Sequence, residues 1–147
     1  MHLFLVHHGD ALPATADPVR PLSAAGRQAV ERLAAQAAGR GARPRQVWHS
    51  GKRRARETAE IYLKACNPLA SMIAVRGLQP EDDPRIVRDG LAGETDDLML
   101  VGHYPHLPAL LALLVPGPAI ASFPQHGVVA LEGSATPGWE ERWRLTT

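Results

Sequence analysis

Two short apolar runs, far apart in the chain, both stop at histidines. Leu3-Phe4-Leu5-Val6 ends at His7-His8-Gly9-Asp10, and Leu98-Met99-Leu100-Val101-Gly102 ends at His103-Tyr104-Pro105. The second run is continuously apolar, as suits a strand buried on both faces, and such strands belong to parallel sheets covered by helices on each side. In those sheets the carboxyl ends of the strands share one edge, where ligands bind. His8 and His103 are therefore expected to meet there, with Gly9 allowing another group to approach closely.

The rest of the chain alternates strand-like and helix-like stretches. Leu3 to Val6 reads as the first strand, and residues 11 to 21 as a loop interrupted by Pro13, Pro18 and Pro21. Ser23 is placed to cap a helix from Ala24 to about Ala38, with Val30, Leu33 and Ala37 at helical spacing and Gly39 and Gly41 as the stop. Gln46 to Trp48 is a second strand. Ser50 is expected to cap the next helix, whose apolar positions Ala55, Ala59, Tyr62 and Cys66 run to the break at Asn67-Pro68. Ser71 to Val75 gives a third strand, Pro80 to Pro84 an acidic turn, Ile86 to Leu91 a helix, Leu98 to Val101 a fourth strand and Leu107 to Leu114 a further helix. Val128 to Leu131 and Trp139 to Leu145 read as two antiparallel strands that finish the sheet. This order points to an α/β fold, a three-layer sandwich around a mostly parallel sheet.

At 147 residues, 45% of them apolar, with a formal net charge of +1, the chain is expected to be one globular domain, 1–147. Balanced charge argues against a general nucleic-acid binder, and no stretch approaches the roughly 20 apolar residues of a membrane span. The one cysteine, Cys66, excludes an intrachain disulfide and fits a reducing cytoplasm; a packed position on a helix is its expected role. A monomer is expected.

A basic segment, Ser50-Gly51-Lys52-Arg53-Arg54-Ala55-Arg56-Glu57-Thr58, opens the second helix directly after a strand. Helix-terminal N–H groups and guanidinium forks both favour an oxyanion such as phosphate. Lys52, Arg53 and Arg56 read mainly as a solvated face. Arg54 lies on the side of Ala55 and Thr58 and can reach back toward the strand ends.

These residues resemble the histidine phosphatases, and within them the small SixA-type phosphohistidine phosphatases. The resemblance rests on His8-Gly9, on Arg20-Pro21-Leu22-Ser23 followed by Gly26, on His49-Ser50-Gly51-Lys52 with Arg54-Ala55-Arg56-Glu57-Thr58-Ala59-Glu60, and on Val101-Gly102-His103-Tyr104-Pro105. It implies a phosphoglycerate mutase-like fold and a two-step phosphoryl transfer without cofactor or metal, in which His8 is the nucleophile. It further implies that Arg54 and His103 stabilise the transferring group, and that His7, Gly9, Arg20, Arg54 and His103 contact phosphate. Larger relatives protonate the leaving group with a carboxylic acid, for which Asp82 in the acidic turn is the candidate here. A leaving imidazole needs such an acid less than an alcohol does.

Position 7 departs from the family pattern, which has arginine there. Histidine offers at most two donors and no permanent charge. Loss of one charge-assisted contact, about 1.5 to 3 kcal/mol, implies a site weakened about tenfold to a hundredfold. Short connections suggest an open pocket suited to a phosphorylated side chain on a protein rather than a small phosphate ester. Three other readings stay open: a metal hydrolase using His7, His8 and His103, a binding module for phosphorylated partners, and a phosphomutase or small-ester phosphatase. The place of His126, near a tail strand, is open too, while Trp139 and Trp143 read as packing residues.

Overall fold

The computed structural model describes residues 1–117 and 122–147. Strands β1 (His2–His7), β2 (Gln46–His49), β3 (Ser71–Ala74), β4 (Leu98–Gly102), β5 (Val128–Gly133) and β6 (Trp139–Leu145) form one sheet. Its order is β3-β2-β4-β1-β5-β6. The first four strands in that order run parallel, and β5 and β6 are added antiparallel beside β1. Because β4 sits between β1 and β2, with His7 level with Gly102 and His49 level with Val101, three strand ends come side by side.

Alternation along the two central strands divides the core in two. Phe4, Val6, Met99 and Val101 pack under helices α1 (Ala24–Gly39) and α2 (Arg53–Cys66). Leu3, Leu5, Leu98 and Leu100 pack under α3 (Pro84–Gly90) and α4 (His106–Leu114). Two-sided burial explains why neither run alternates with polar residues. The result is the expected α/β sandwich of three layers. Among the described residues no helix is long and apolar enough to cross a membrane.

Most element ends move by a residue or two from expectation, each for a local reason. The side chain of Ser23 caps α1 by accepting the Gly26 N–H at 2.9 Å. Helix α3 starts at Pro84, earlier than the apolar pattern suggests, because Asp83 accepts the Arg85 N–H and proline occupies the first turn; it gives way to a 3₁₀ turn at Leu91–Gly93. Strand β3 stops at Ala74 rather than Val75, on the sheet edge where few side chains are buried. Ser50 does not cap α2. The capping position falls to Lys52, without a side-chain bond, while the Ser50 hydroxyl is engaged by His103. Cys66 is buried as expected, and burial pushes its thiol up to about 11.

Helix α1 lies so close to the end of β1 that only glycine fits at two points. A Cβ on Gly9 would meet the Val30 side chain at 2.5 Å, and one on Gly26 would strike the Asp10 carbonyl oxygen. Gly39, at the far end of the same helix, has open space around it. Alanine at the two helical glycines should therefore have opposite effects. Gly26→Ala should lower stability by about 1 to 3 kcal/mol through the forced backbone shift, and Gly39→Ala should raise it by about 0.4 to 1 kcal/mol. Denaturant midpoints measure both, and a shift of the same sign in the two variants would contradict the close packing.

Candidate active site

The backbone at the strand ends is tied across the sheet before any side chain is considered. His7 N–H donates to the Gly127 carbonyl at 3.0 Å and His8 N–H to the Gly102 carbonyl at 3.1 Å. Gly9 N–H donates to the Thr58 hydroxyl at 3.1 Å, and that hydroxyl donates in turn to the Arg54 carbonyl at 2.8 Å. Thr58 is fully buried, so this pair of bonds fixes the start of α2 against the turn after β1.

Around this frame lies a cavity of about 330 Å³ whose walls include His7, His8, His103, Arg20, Arg54 and His126. The expectation that His8 and His103 meet is correct: their ring centres are 5.0 Å apart. A larger hollow of about 850 Å³ beside Leu114 and Trp139 has no histidine in its walls. Its ionic side chains, such as Arg142 with Glu132, are paired with each other, so the chemistry resides in the smaller cavity.

Hydrogen bonds fix the tautomers. His8 Nδ1 lies 2.6 Å from the Gly9 carbonyl, which can only accept, so Nδ1 carries the proton and Nε2 keeps its lone pair. Burial holds the His8 pKa down to about 4, against the raising effect of that bond, with Arg54 and His126 adding to the depression. Burial likewise lowers His103 to about 3, and His7 to about 2 with help from the neighbouring imidazoles. All three rings are neutral at pH 7.

His7 accepts the His126 N–H on Nδ1 at 2.7 Å, which leaves Nε2–H as its one donor. Its ring is stacked between Tyr104, centroids 4.4 Å apart, and His126, 4.9 Å apart. His103 Nε2 pairs with the Ser50 hydroxyl at 2.6 Å.

Two guanidinium groups supply the positive charge. Arg20 adopts φ 49° and anchors its Nε on the Leu12 carbonyl at 2.9 Å. The loop that carries it is pinned to α2, since Glu57 accepts the Leu22 N–H at 2.8 Å. Arg54 Nε is buried without a protein partner, as is His103 Nδ1. Burial first, and the charge of Arg20 second, lowers the Arg54 pKa. Converging cations with an unpaired buried donor form a receptor for an anion.

Two of the sequence-derived residues lie elsewhere. Gly9 is not a cavity wall; its N–H is consumed by Thr58 and its role is the close approach of α1. Asp82 lines the adjoining hollow with Ser50 and Gln79, where its carboxylate accepts the Gln79 N–H at 2.9 Å. The acidic turn uses it for its own closure. Sequence reasoning missed Tyr104 and Asp10 as cavity walls and left His126 open. His126 sits at φ 56° just before β5, with Nδ1 donating to the His8 carbonyl at 2.7 Å. The signal was the pair His126-Gly127 ahead of an apolar strand, a reversed echo of His8-Gly9 after one.

Comparison with known proteins agrees with this geometry. The structure of the protein histidine phosphatase SixA complexed with tungstate superposes with a TM-score of 0.88 at 26% identity, over 99% of this chain and 97% of that one. SixA from Agrobacterium tumefaciens gives 0.83 at 24% identity, over 99% and 97%. A mycobacterial glucosyl-3-phosphoglycerate phosphatase gives 0.74 at 16% identity, over 99% of both chains, a likeness of fold. No curated protein matches by sequence. The family pattern described as histidine phosphatase superfamily (branch 1) matches residues 3–79, more than half of the sequence, and the chain belongs to that superfamily.

Proposed function

We propose that this phosphatase acts on phosphohistidine carried by a protein, through a covalent intermediate on His8. The observation that carries the reading is the His8 Nε2 lone pair, exposed to the cavity by the Nδ1 bond to Gly9, beside the unpartnered Nε of Arg54. A neutral imidazole held this way is a nucleophile that needs no separate base. Nε2 attacks phosphorus and forms a P–N bond as the P–N bond to the substrate imidazole breaks, the leaving ring taking up a proton from solvent. Water then attacks the phosphorylated His8, the new bond breaks, and inorganic phosphate leaves.

Charge on the transferring oxygens is met by Arg54 and Arg20, with His7 Nε2–H as a neutral donor where the family pattern has an arginine. The similar SixA structure holds tungstate, a tetrahedral oxyanion of phosphate shape, which supports an oxyanion as ligand. Protein as the source of the phosphoryl group is supported by the cavity rim, where Asp10 and Gln125 stand exposed, and by a likeness to SixA that spans 99% of this chain and 97% of that one. A protonated imidazole is a good leaving group, so the engagement of Asp82 with the Gln79 N–H in the adjoining hollow is no obstacle.

Phosphate release from a phosphohistidine-bearing protein, measured in the presence of a chelator, tests the mechanism. Wild type should turn over, and His8→Ala should lose about 10³-fold or more. Turnover that persists in His8→Ala rules out the covalent route. His7→Arg, restoring a permanent cation, should raise kcat/KM about tenfold or more; an unchanged rate would show that position 7 does not limit the reaction.

The depressed His8 pKa sets the pH dependence. Once substrate ionisation is divided out, kcat/KM should hold from pH 7 down to near pH 4, where His8 itself takes a proton. Stability runs the other way. Unfolded histidines bind protons below about 6.5 while His7, His8 and His103 in the native state do not, so unfolding should become easier as pH falls from 6.5 toward 4. An acid limb at 6.5 in the rate profile, with the fold intact, would contradict the burial of His8.

A further inference from the structure

We propose that His8 and His126, with His7 as third ligand, form a binding site for a nitrogen-seeking divalent transition metal of the zinc class, and that metal bound there silences the nucleophile. Nitrogen atoms of these three rings lie within 4.8 Å of one another. A tetrahedral zinc ion holds its nitrogens about 3.3 Å apart, so side-chain rotations of roughly 1 Å close the site. His103, held on Nε2 by Ser50, stays outside it.

The hydrogen bonds around the rings favour the metal. His8 and His126 each place Nδ1–H on a backbone carbonyl, of Gly9 and of His8 respectively, which leaves two Nε2 lone pairs on the cavity. A ligating histidine with its other nitrogen donated to a carbonyl is the usual support for a bound transition metal. With the ring proton directed at a carbonyl from Nδ1, neither His8 Nε2 nor His126 Nε2 has a proton for the metal to displace. His7 is the costlier ligand: its Nδ1 accepts the His126 N–H, so coordination through Nε2 requires that bond to open and the proton to shift to Nδ1. Arginine at position 7 would offer a metal no lone pair.

Arg20 and Arg54 face the same cavity and repel any cation. Only a metal with strong bonds to imidazole overcomes that repulsion, so magnesium, which prefers oxygen ligands, should not bind. Metal binding stands apart from the reaction, and only the accompanying loss of turnover rests on the phosphatase reading. Because metal and phosphorus compete for the same His8 lone pair, the metal acts as an inhibitor and not as a cofactor.

The test is calorimetric titration of the full chain with zinc, nickel and magnesium chlorides, alongside turnover on the phosphohistidine protein. Zinc and nickel should bind at about one ion per chain, inhibit in parallel with occupancy and release activity on addition of EDTA, while magnesium does neither. His126→Asn, whose new side chain tolerates the left-handed backbone, should weaken zinc binding about tenfold or more, as should His8→Asn. His2→Asn is the control, because His2 sits at the surface between Asp97 and Glu132, where a stray ion could lodge. Circular dichroism establishes that each variant is folded. Absence of stoichiometric zinc binding overturns the proposal, as does binding that is lost in His2→Asn but kept in folded His126→Asn. Zinc binding of the expected pattern in a wild type that releases no phosphate would uphold the metal site and overturn the phosphatase reading.

Discussion

Everything at the active end of this molecule hangs on the hydroxyl of Thr58. It accepts the Gly9 N–H and donates to the Arg54 carbonyl, and so fastens the turn that follows His8 to the helix that carries Arg54. Both partners are backbone groups, the first bond buried and the second partly so, and an unmade hydrogen bond at a buried group costs about 1 to 3 kcal/mol. Neither strand nor helix can slide along the other without breaking that link. The separation of the backbone positions that carry His8 and Arg54 is therefore fixed before side-chain rotamers are chosen.

Glycine makes this arrangement possible from the other side. With hydrogens in place of Cβ atoms at Gly9 and Gly26, α1 packs directly on the turn, and the loop before it can carry Arg20 over the cavity. Glu57 then completes the linkage by binding the Leu22 N–H from α2. A carboxylate that reads in sequence as one more charge in a basic helix proves to be a brace for the opposing loop.

The sheet and its edge were legible because continuous apolar runs have few other homes, and because histidines at their ends mark where two layers of helix part. His8, His103 and Arg54 were legible for the same reason, each lying next to a strand end or a helix start, whereas Arg20 was marked only by the resemblance to the histidine phosphatases. His126 was not legible, although His126-Gly127 stands just ahead of an apolar strand: its place depends on a left-handed backbone and on a bond to a carbonyl 118 residues away, which so short a signal does not specify. Ser50 misled in the opposite direction: a serine before a helix has the right chemistry for a cap, yet its hydroxyl serves a histidine 53 residues away. Asp82 misled because an acidic turn near a phosphate site invites a catalytic reading, while the backbone of that turn needed an acceptor.

The stack of Tyr104, His7 and His126 draws on three separate stretches of the chain, and the last of them arrives only when β5 docks against β1. Neither the stack nor the burial that keeps His7 neutral belongs to any one segment: both are properties of the assembled sheet. Without β5 beside β1, His7 would lose the His126 N–H and the His8 carbonyl would lose its imidazole partner, while Thr58 would still hold the turn after β1 to α2.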